Sequence, residues 1–188
     1  MSEFSSADYW ERRYLKGETS GGGSYNKSAK GKAEYINAIV KRHNIESVND
    51  FGHGDGNQLK YIKGFDSYTG YDVSNAARKK CMERFTDRDK YTFIDSPSEF
   101  EVADLAISLD VIYHLVEDDV YHDYLKTLFS IGDIILIYST NKEVRGTNRH
   151  VRHRNITSYI NDHFPDFKLE DTTPVLKDHI LMHLYTKK

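Results

Sequence analysis

The segment Ser47-Val48-Asn49-Asp50-Phe51-Gly52-His53-Gly54-Asp55-Gly56-Asn57 constrains this chain more than any other. It reads as a short strand that runs into three glycines at every second position. Glycine lets the backbone turn sharply there and leaves no Cβ in the way of a ligand. A helix opening at Asn57 or Gln58 would then offer unpaired N–H groups to a negatively charged or strongly accepting partner. Further on, Tyr68-Thr69-Gly70-Tyr71-Asp72 reads as a second strand that ends in a carboxylate. Ligands of an open α/β sheet bind outside the carboxyl ends of its strands, so both segments face one crevice. A carboxylate at that place can accept two hydrogen bonds from the vicinal hydroxyls of a ribose. Together the two segments describe a nucleoside-cofactor site.

Strands and helices alternate along the rest of the chain, as in a mostly parallel sheet. Ala29 to His43 repeats apolar residues at helical spacing through Ala33, Ile36, Ile39 and Val40. Ser74 is an N-cap for a helix running to Arg84. Tyr91–Ile94 and Asp104–Leu109 are the third and fourth strands, and Glu117–Phe129 is a helix. Asp133–Tyr138 is a nearly unbroken apolar run, which suits a buried central strand. Ile156–Phe164 is a short helix stopped by Pro165. Phe167–Glu170 and His179–Tyr185 complete seven strands. The spacer Asp171–Asp178 is too short for a parallel crossover, so the last pair must be antiparallel.

At 188 residues, 38% hydrophobic and 29% charged, the chain has the size and composition of one globular domain. No apolar run approaches the roughly 20 residues that would span a bilayer. The start of the chain lacks the organisation of a signal peptide. Cys81 is the lone cysteine, so no intrachain disulfide and no cysteine metal cluster is expected. These features point to a cytoplasmic protein without a metal. Net charge is −3, yet Lys142–Arg154 carries five Lys or Arg against one Glu. That run is either a solvated face or the lining of a pocket for an anionic group.

The glycine spacing separates two cofactor classes. The dinucleotide fingerprint needs a glycine at position 57, where Asn57 stands. Asp50-x-Gly52-x-Gly54-x-Gly56 instead resembles the first motif of the class I S-adenosylmethionine-dependent methyltransferases. The resemblance extends from about Tyr9 to the C-terminus. It implies a single domain over residues 1–188 with a doubly wound, Rossmann-like sheet of seven strands, mostly parallel, ending in an antiparallel hairpin. It also implies that S-adenosylmethionine packs against Gly52, His53 and Gly54, with Asp72 on its ribose and Val73 beside its adenine. Asp95 and Ser96 would meet the adenine amino group. Leu109-Asp110-Val111-Ile112-Tyr113-His114-Leu115 resembles the family's fourth motif, at the methyl-transfer site, with Leu109 against the cofactor. His53 departs from the family pattern, where a small residue or cysteine is usual.

Tyr9-Trp10-Glu11-Arg12-Arg13-Tyr14 resembles the opening of small stand-alone methyltransferases, and residues 1–27 are expected to fold over cofactor and substrate. Trp10 would cover the cofactor or staple the segment to the core. Arg13 suits the methionine carboxylate because its fork pairs with a carboxylate in bidentate fashion. Ser20–Tyr25 is either a plain loop or a lid. Asp110 and His114 are the candidate catalytic residues, and His114 could equally be a packed histidine. Tyr113, His150, Arg152 and Arg154 are candidates for the substrate.

A small molecule or saccharide acceptor, methylated on oxygen or nitrogen, is the first expectation. An RNA methyltransferase is the alternative. For ribose 2′-O transfer it would need a Lys-Asp-Lys-Glu set, drawn from Lys30 or Lys32, Asp110, Lys142 and Glu170. The chain shows neither a strongly basic surface nor an added recognition domain for long nucleic acid. A non-catalytic subunit that binds the cofactor, and a nicotinamide-dependent dehydrogenase, are the other readings.

Overall fold

The computed structural model describes residues 4–145, 148–176 and 179–188. The first three residues, on which the signal-peptide reading began, lie outside them, as do Gly146 and Thr147 of the basic run.

Seven strands form one sheet: β1 (Ser47–Phe51), β2 (Ser67–Tyr71), β3 (Tyr91–Phe93), β4 (Ala103–Leu109), β5 (Gly132–Ser139), β8 (Phe167–Pro174) and β9 (Leu181–Lys187). Their order is β3-β2-β1-β4-β5-β9-β8. The first five run parallel, and β9 pairs antiparallel with both β5 and β8. The remaining two strands, β6 (Val144–Arg145) and β7 (Arg152–His153), form a separate antiparallel pair within the basic run. The sheet therefore has the expected topology, with the final hairpin longer than its apolar residues alone suggest.

Alternation along the strands divides the core in two. Leu105, Ile107, Leu136, Tyr138, Met182 and Leu184 pack on one face with Ala33, Ile36 and Val40 of helix α2 (Asn26–His43) and Cys81 of helix α3 (Asn75–Arg84). Ala106, Ile135, Ile137 and Tyr185 pack on the other with Tyr121, Leu125 and Leu128 of α4 (Asp118–Leu128) and Ile156 and Ile160 of α5 (Ile156–His163). Period-2 side chains on central strands are what bring helices to both faces. Ser74 caps α3 by accepting the Ala77 N–H at 3.1 Å, as its position in the sequence predicts.

One expected element is absent. No α-helix follows the glycine loop; Leu59–Tyr61 forms a single 3₁₀ turn. Asn57 donates its side-chain amide to Ser24 O (2.6 Å) and Gln58 donates to Ala29 O (2.9 Å), which draws this stretch against α2. Gly64 then turns the chain at φ +92° after Leu59 and Ile62 have entered the core. Too few residues remain between these anchors to nucleate an α-helix.

Chain order reverses between β1 and β4: β2 and β3 lie on one side of β1, while β4 and β5 lie on the other. The crevice above their carboxyl ends is the topological switch point, where ligands of such sheets bind. Helix α1 (Ser6–Leu15) lies across it.

Candidate active site

A cavity of about 410 Å³ occupies that crevice. Its floor is Asp50, Phe51 and the glycine loop after β1; Tyr71, Asp72 and Val73 follow at the end of β2. Leu109, Asp110, Val111 and His114 come from the end of β4, and Val120 and Tyr124 from α4. Ser6, Ala7, Trp10 and Tyr14 of α1 close it from above, with Ser20 and Ser24 beside them.

The glycine loop is held from below by Asp72. This carboxylate accepts the Gly54 N–H at 2.8 Å and the Ser74 N–H at 2.9 Å, and burial raises its pKa. Gly52 (φ +101°) and Gly54 (φ +59°) are left-handed, a backbone that suits glycine. A Cβ at Gly52 would collide with Val111, and one at Gly54 with Ser20 and Tyr14. The bare backbone thus admits close approach from neighbouring side chains as well as from a ligand. His53 turns under the loop: its Nδ1 lies 2.7 Å from Gly54 O, and its ring meets Phe93 edge-on. Burial lowers its pKa.

Ser20–Tyr25 is fastened to the loop through Asp55. The Asp55 carboxylate accepts the Ser20 N–H (3.1 Å) and the Tyr25 hydroxyl (2.6 Å), and its own N–H donates to Ser20 Oγ (3.0 Å). These bonds hold the Asp55 carboxyl below its usual range despite its burial.

Asp110 sits at the end of β4 in a left-handed conformation (φ 62°), uncommon for a residue with a side chain and typical of functional sites. The Tyr113 hydroxyl donates to Oδ1 at 2.6 Å, and Lys32 of α2 pairs with Oδ2. Lys32 is fully buried, with Nζ 4.9 Å from the Tyr138 ring centre. Gly23 lies so near that a Cβ there would stand 2.9 Å from the carboxylate. Lys32 was weighed in the sequence only as part of the Lys-Asp-Lys-Glu set. The signal that finds it is its place in the apolar stripe of Ala29, Ala33 and Ile36. The rest of that set does not assemble, because Glu170 pairs with Arg42 and Lys142 is exposed.

His114 faces the cavity beside Trp10, with ring centres 4.9 Å apart. Its Nδ1 is 2.9 Å from the His150 carbonyl, so hydrogen-bond geometry assigns the proton to Nδ1 and leaves Nε2 as a lone pair. Burial pushes its pKa down to about 4, so the ring is neutral at pH 7. His150 stacks on Tyr9 at 4.7 Å and forms the outer layer of this cluster.

Other candidates stand elsewhere. Arg13 donates to Thr19 O (2.7 Å) and pairs with Glu18, outside the cavity lining. Asp95 is paired with Arg78 and exposed, and Ser96 caps a 3₁₀ turn at Pro97–Glu99. Pro97, rather than either of them, reaches the cavity. Arg152 and Arg154 do not line it either. Buried Arg154 donates to Leu115 O (2.6 Å), Val116 O (3.2 Å) and Asp118 (3.1 Å), beneath the Tyr121 ring at 4.2 Å. Arg152 reaches Asp118 at 2.7 Å and Val116 O at 3.4 Å. Both clamp the segment that carries His114. Arg154→Ala should therefore cost about 2–3 kcal/mol of stability, the scale of losing charged hydrogen bonds at a buried site. Arg152→Ala should cost less than about 1 kcal/mol, because its acid partner is 59% exposed. Urea denaturation of the two variants checks the ranking, and equal losses would overturn it.

No family model matches the sequence, and no curated protein matches it significantly. Solved structures do resemble it. A Burkholderia thailandensis 1,6-didemethyltoxoflavin-N1-methyltransferase, with its substrate and S-adenosylhomocysteine bound, superposes with a TM-score of 0.72. It is 18% identical, over 96% of this chain and 86% of that one. The magnesium protoporphyrin IX methyltransferase of Synechocystis PCC 6803, with S-adenosylmethionine bound, gives 0.67 at 16% identity and covers 100% of both chains. The 16S rRNA methylase ArmA gives 0.65 at 16% identity, over 99% of this chain and 100% of that one. The chain has the class I methyltransferase fold. Within that fold the cavity lies where the glycine loop and the ends of β2 and β4 meet. Among the described residues no helix is long and apolar enough to cross a membrane, and no three His, Cys, Asp or Glu side chains gather to hold a metal ion.

Proposed function

We propose that the chain is a cytoplasmic S-adenosylmethionine-dependent methyltransferase acting on an oxygen or nitrogen of a small molecule or saccharide. The observation that carries this reading is the cavity itself. It runs unbroken from the bare backbone of Gly52 and Gly54, past Asp72 and Val73, to the Asp110–His114 corner, on a methyltransferase fold. The cofactor fits what lines it. Gln58 Oε1 is buried at the wall without a hydrogen-bond partner and suits a ligand N–H donor. Asp72 keeps lone pairs beyond its two backbone bonds for ribose hydroxyls.

Bound there, the cofactor supplies an electrophilic methyl group. The chain's own task is then alignment and proton removal. Lys32 and Tyr113 fix the Asp110 carboxylate, which can hold an acceptor O–H or N–H. Neutral His114 can take that proton on Nε2, and the nearby Asp110 charge favours the imidazolium that results. The similar structures include enzymes named for small-molecule substrates and methylases named for 16S rRNA. The cavity is closed from above by Ser6, Ala7, Trp10 and Tyr14 of α1, which favours a small acceptor.

Titration calorimetry tests the reading. S-adenosylmethionine or S-adenosylhomocysteine should bind with micromolar-range affinity, and NAD far more weakly. Equal or tighter binding of NAD would refute it.

A further inference from the structure

The cavity is unusual in what it lacks. Five carboxylates line it, those of Asp50, Asp72, Asp110, Glu117 and Asp123, whereas no lysine or arginine does among the described residues. Two of the five are paired from outside the lining, Asp110 with Lys32 and Asp123 with Lys126, while Arg13 is taken up by Glu18 and Thr19 O. Both histidines of the lining are uncharged at neutral pH, because burial disfavours the imidazolium.

Nor does the glycine loop supply an anion-binding backbone. Its six successive N–H groups are all used within the protein. Gly52 and His53 donate to Tyr71 O at 2.7 and 3.4 Å, and Gly56 donates to His53 O at 3.2 Å. Gly54 donates to Asp72, Asp55 to Ser20 Oγ, and Asn57 to Asp55. The helix N-terminus that commonly holds a phosphate or carboxylate after such a loop is replaced by a 3₁₀ turn. Near the loop the Tyr14 and Ser20 hydroxyls bond to each other at 2.8 Å, Ser20 Oγ also accepts the Asp55 N–H, and these groups and the Ser24 hydroxyl are neutral.

Building on the cofactor reading above, we infer that the cavity selects ligands by positive charge and contains no element that recognises the cofactor's α-carboxylate. The sulfonium and ammonium are what it grips. The carboxylate gains nothing from a guanidinium or a helix end, and it meets acids on the same wall. By the same chemistry, phosphate or carboxylate groups of the acceptor remain outside the cavity, and the part that enters is neutral or an amine.

The test compares S-adenosylmethionine with its decarboxylated analogue, S-adenosylmethioninamine, by calorimetry on the intact protein at pH 7.5 and low salt. The analogue is expected to bind tighter than, or within threefold of, S-adenosylmethionine. A loss of more than threefold on removing the carboxylate would overturn the inference while leaving the cofactor assignment standing. Failure of both compounds to bind would overturn the cofactor assignment, and the inference with it.

Discussion

Asp72→Ala should weaken cofactor binding at least tenfold and, in the same variant, destabilise the ligand-free protein. The first effect follows from two hydrogen bonds to an ionised acceptor, each worth about 1.5–3 kcal/mol before water compensates in part. The second follows from the structure alone. Asp72 accepts the Gly54 and Ser74 N–H groups, so its removal leaves donors beneath the glycine loop without their partner. An orphaned buried donor costs about 1–3 kcal/mol. A sequence reading that sees only a ribose ligand predicts unchanged stability, so thermal melting separates the two accounts. Calorimetry of the same variant measures the affinity, and normal cofactor binding would show that the ribose does not lie at the end of β2.

Asp50→Asn should do the reverse to stability. Asp50 is buried beside the cavity, and burial raises its carboxyl pKa to about 7. The Tyr68 hydroxyl, 2.8 Å away, counteracts that rise, Asp72 adds to it by repulsion, and Lys32 offsets it. The folded pKa lies above the unfolded one, so the folded state holds this proton more tightly. Stability from the group is therefore fully present below about pH 4, is lost as pH rises to 7, and stays lost above it. Three pKa units set a ceiling of about 4 kcal/mol, and about 2 kcal/mol is a realistic gain for the neutral asparagine at pH 8. That gain corresponds to roughly 4–8 °C in melting temperature for a chain of this size. It should shrink as pH falls below 7 and vanish near pH 4. S-adenosylmethionine should bind the variant at least fivefold more weakly at pH 8, because an anion facing a cationic ligand is gone. A melting temperature that does not rise at pH 8 would show that Asp50 carries no ionisation cost.

The sheet was legible because its signals are local. The nearly unbroken apolar run at Asp133–Tyr138 suits a buried central strand, and the short spacer Asp171–Asp178 left the final pair no way to run but antiparallel. Asp72 and Asp110 reach the cavity because each closes such a strand. What failed depends on partners remote in sequence. Leu59 and Ile62 have helical spacing, yet bonds from Asn57 to Ser24 and from Gln58 to Ala29 hold the stretch as a single turn. The arginines of the basic run looked like pocket lining because a charge run carries no record of its counter-charge. Their acceptors, Leu115 O, Val116 O and Asp118, lie more than thirty residues earlier. Arg13 differs: its partners Glu18 and Thr19 O are only five and six residues on, and they take up the guanidinium outside the cavity lining.

Helix α1 is joined to the body of the protein mostly through other elements' ends. Glu117, at the start of α4, accepts the Ser6 N–H at 2.7 Å and its hydroxyl at 2.8 Å, while Glu11 of α1 accepts from Ser74 and Ala76 at the start of α3. Only Ser6 and Tyr14 of its ten residues are buried. A helix so attached belongs to the low-stability end of the molecule, where segments open without global unfolding. Because it roofs the cavity, its undocking would widen the way in and out for an occupant. Residence time would then depend on the roof: compounds of quite different affinity should leave at similar rates, set by how often two carboxylates release two helix ends together.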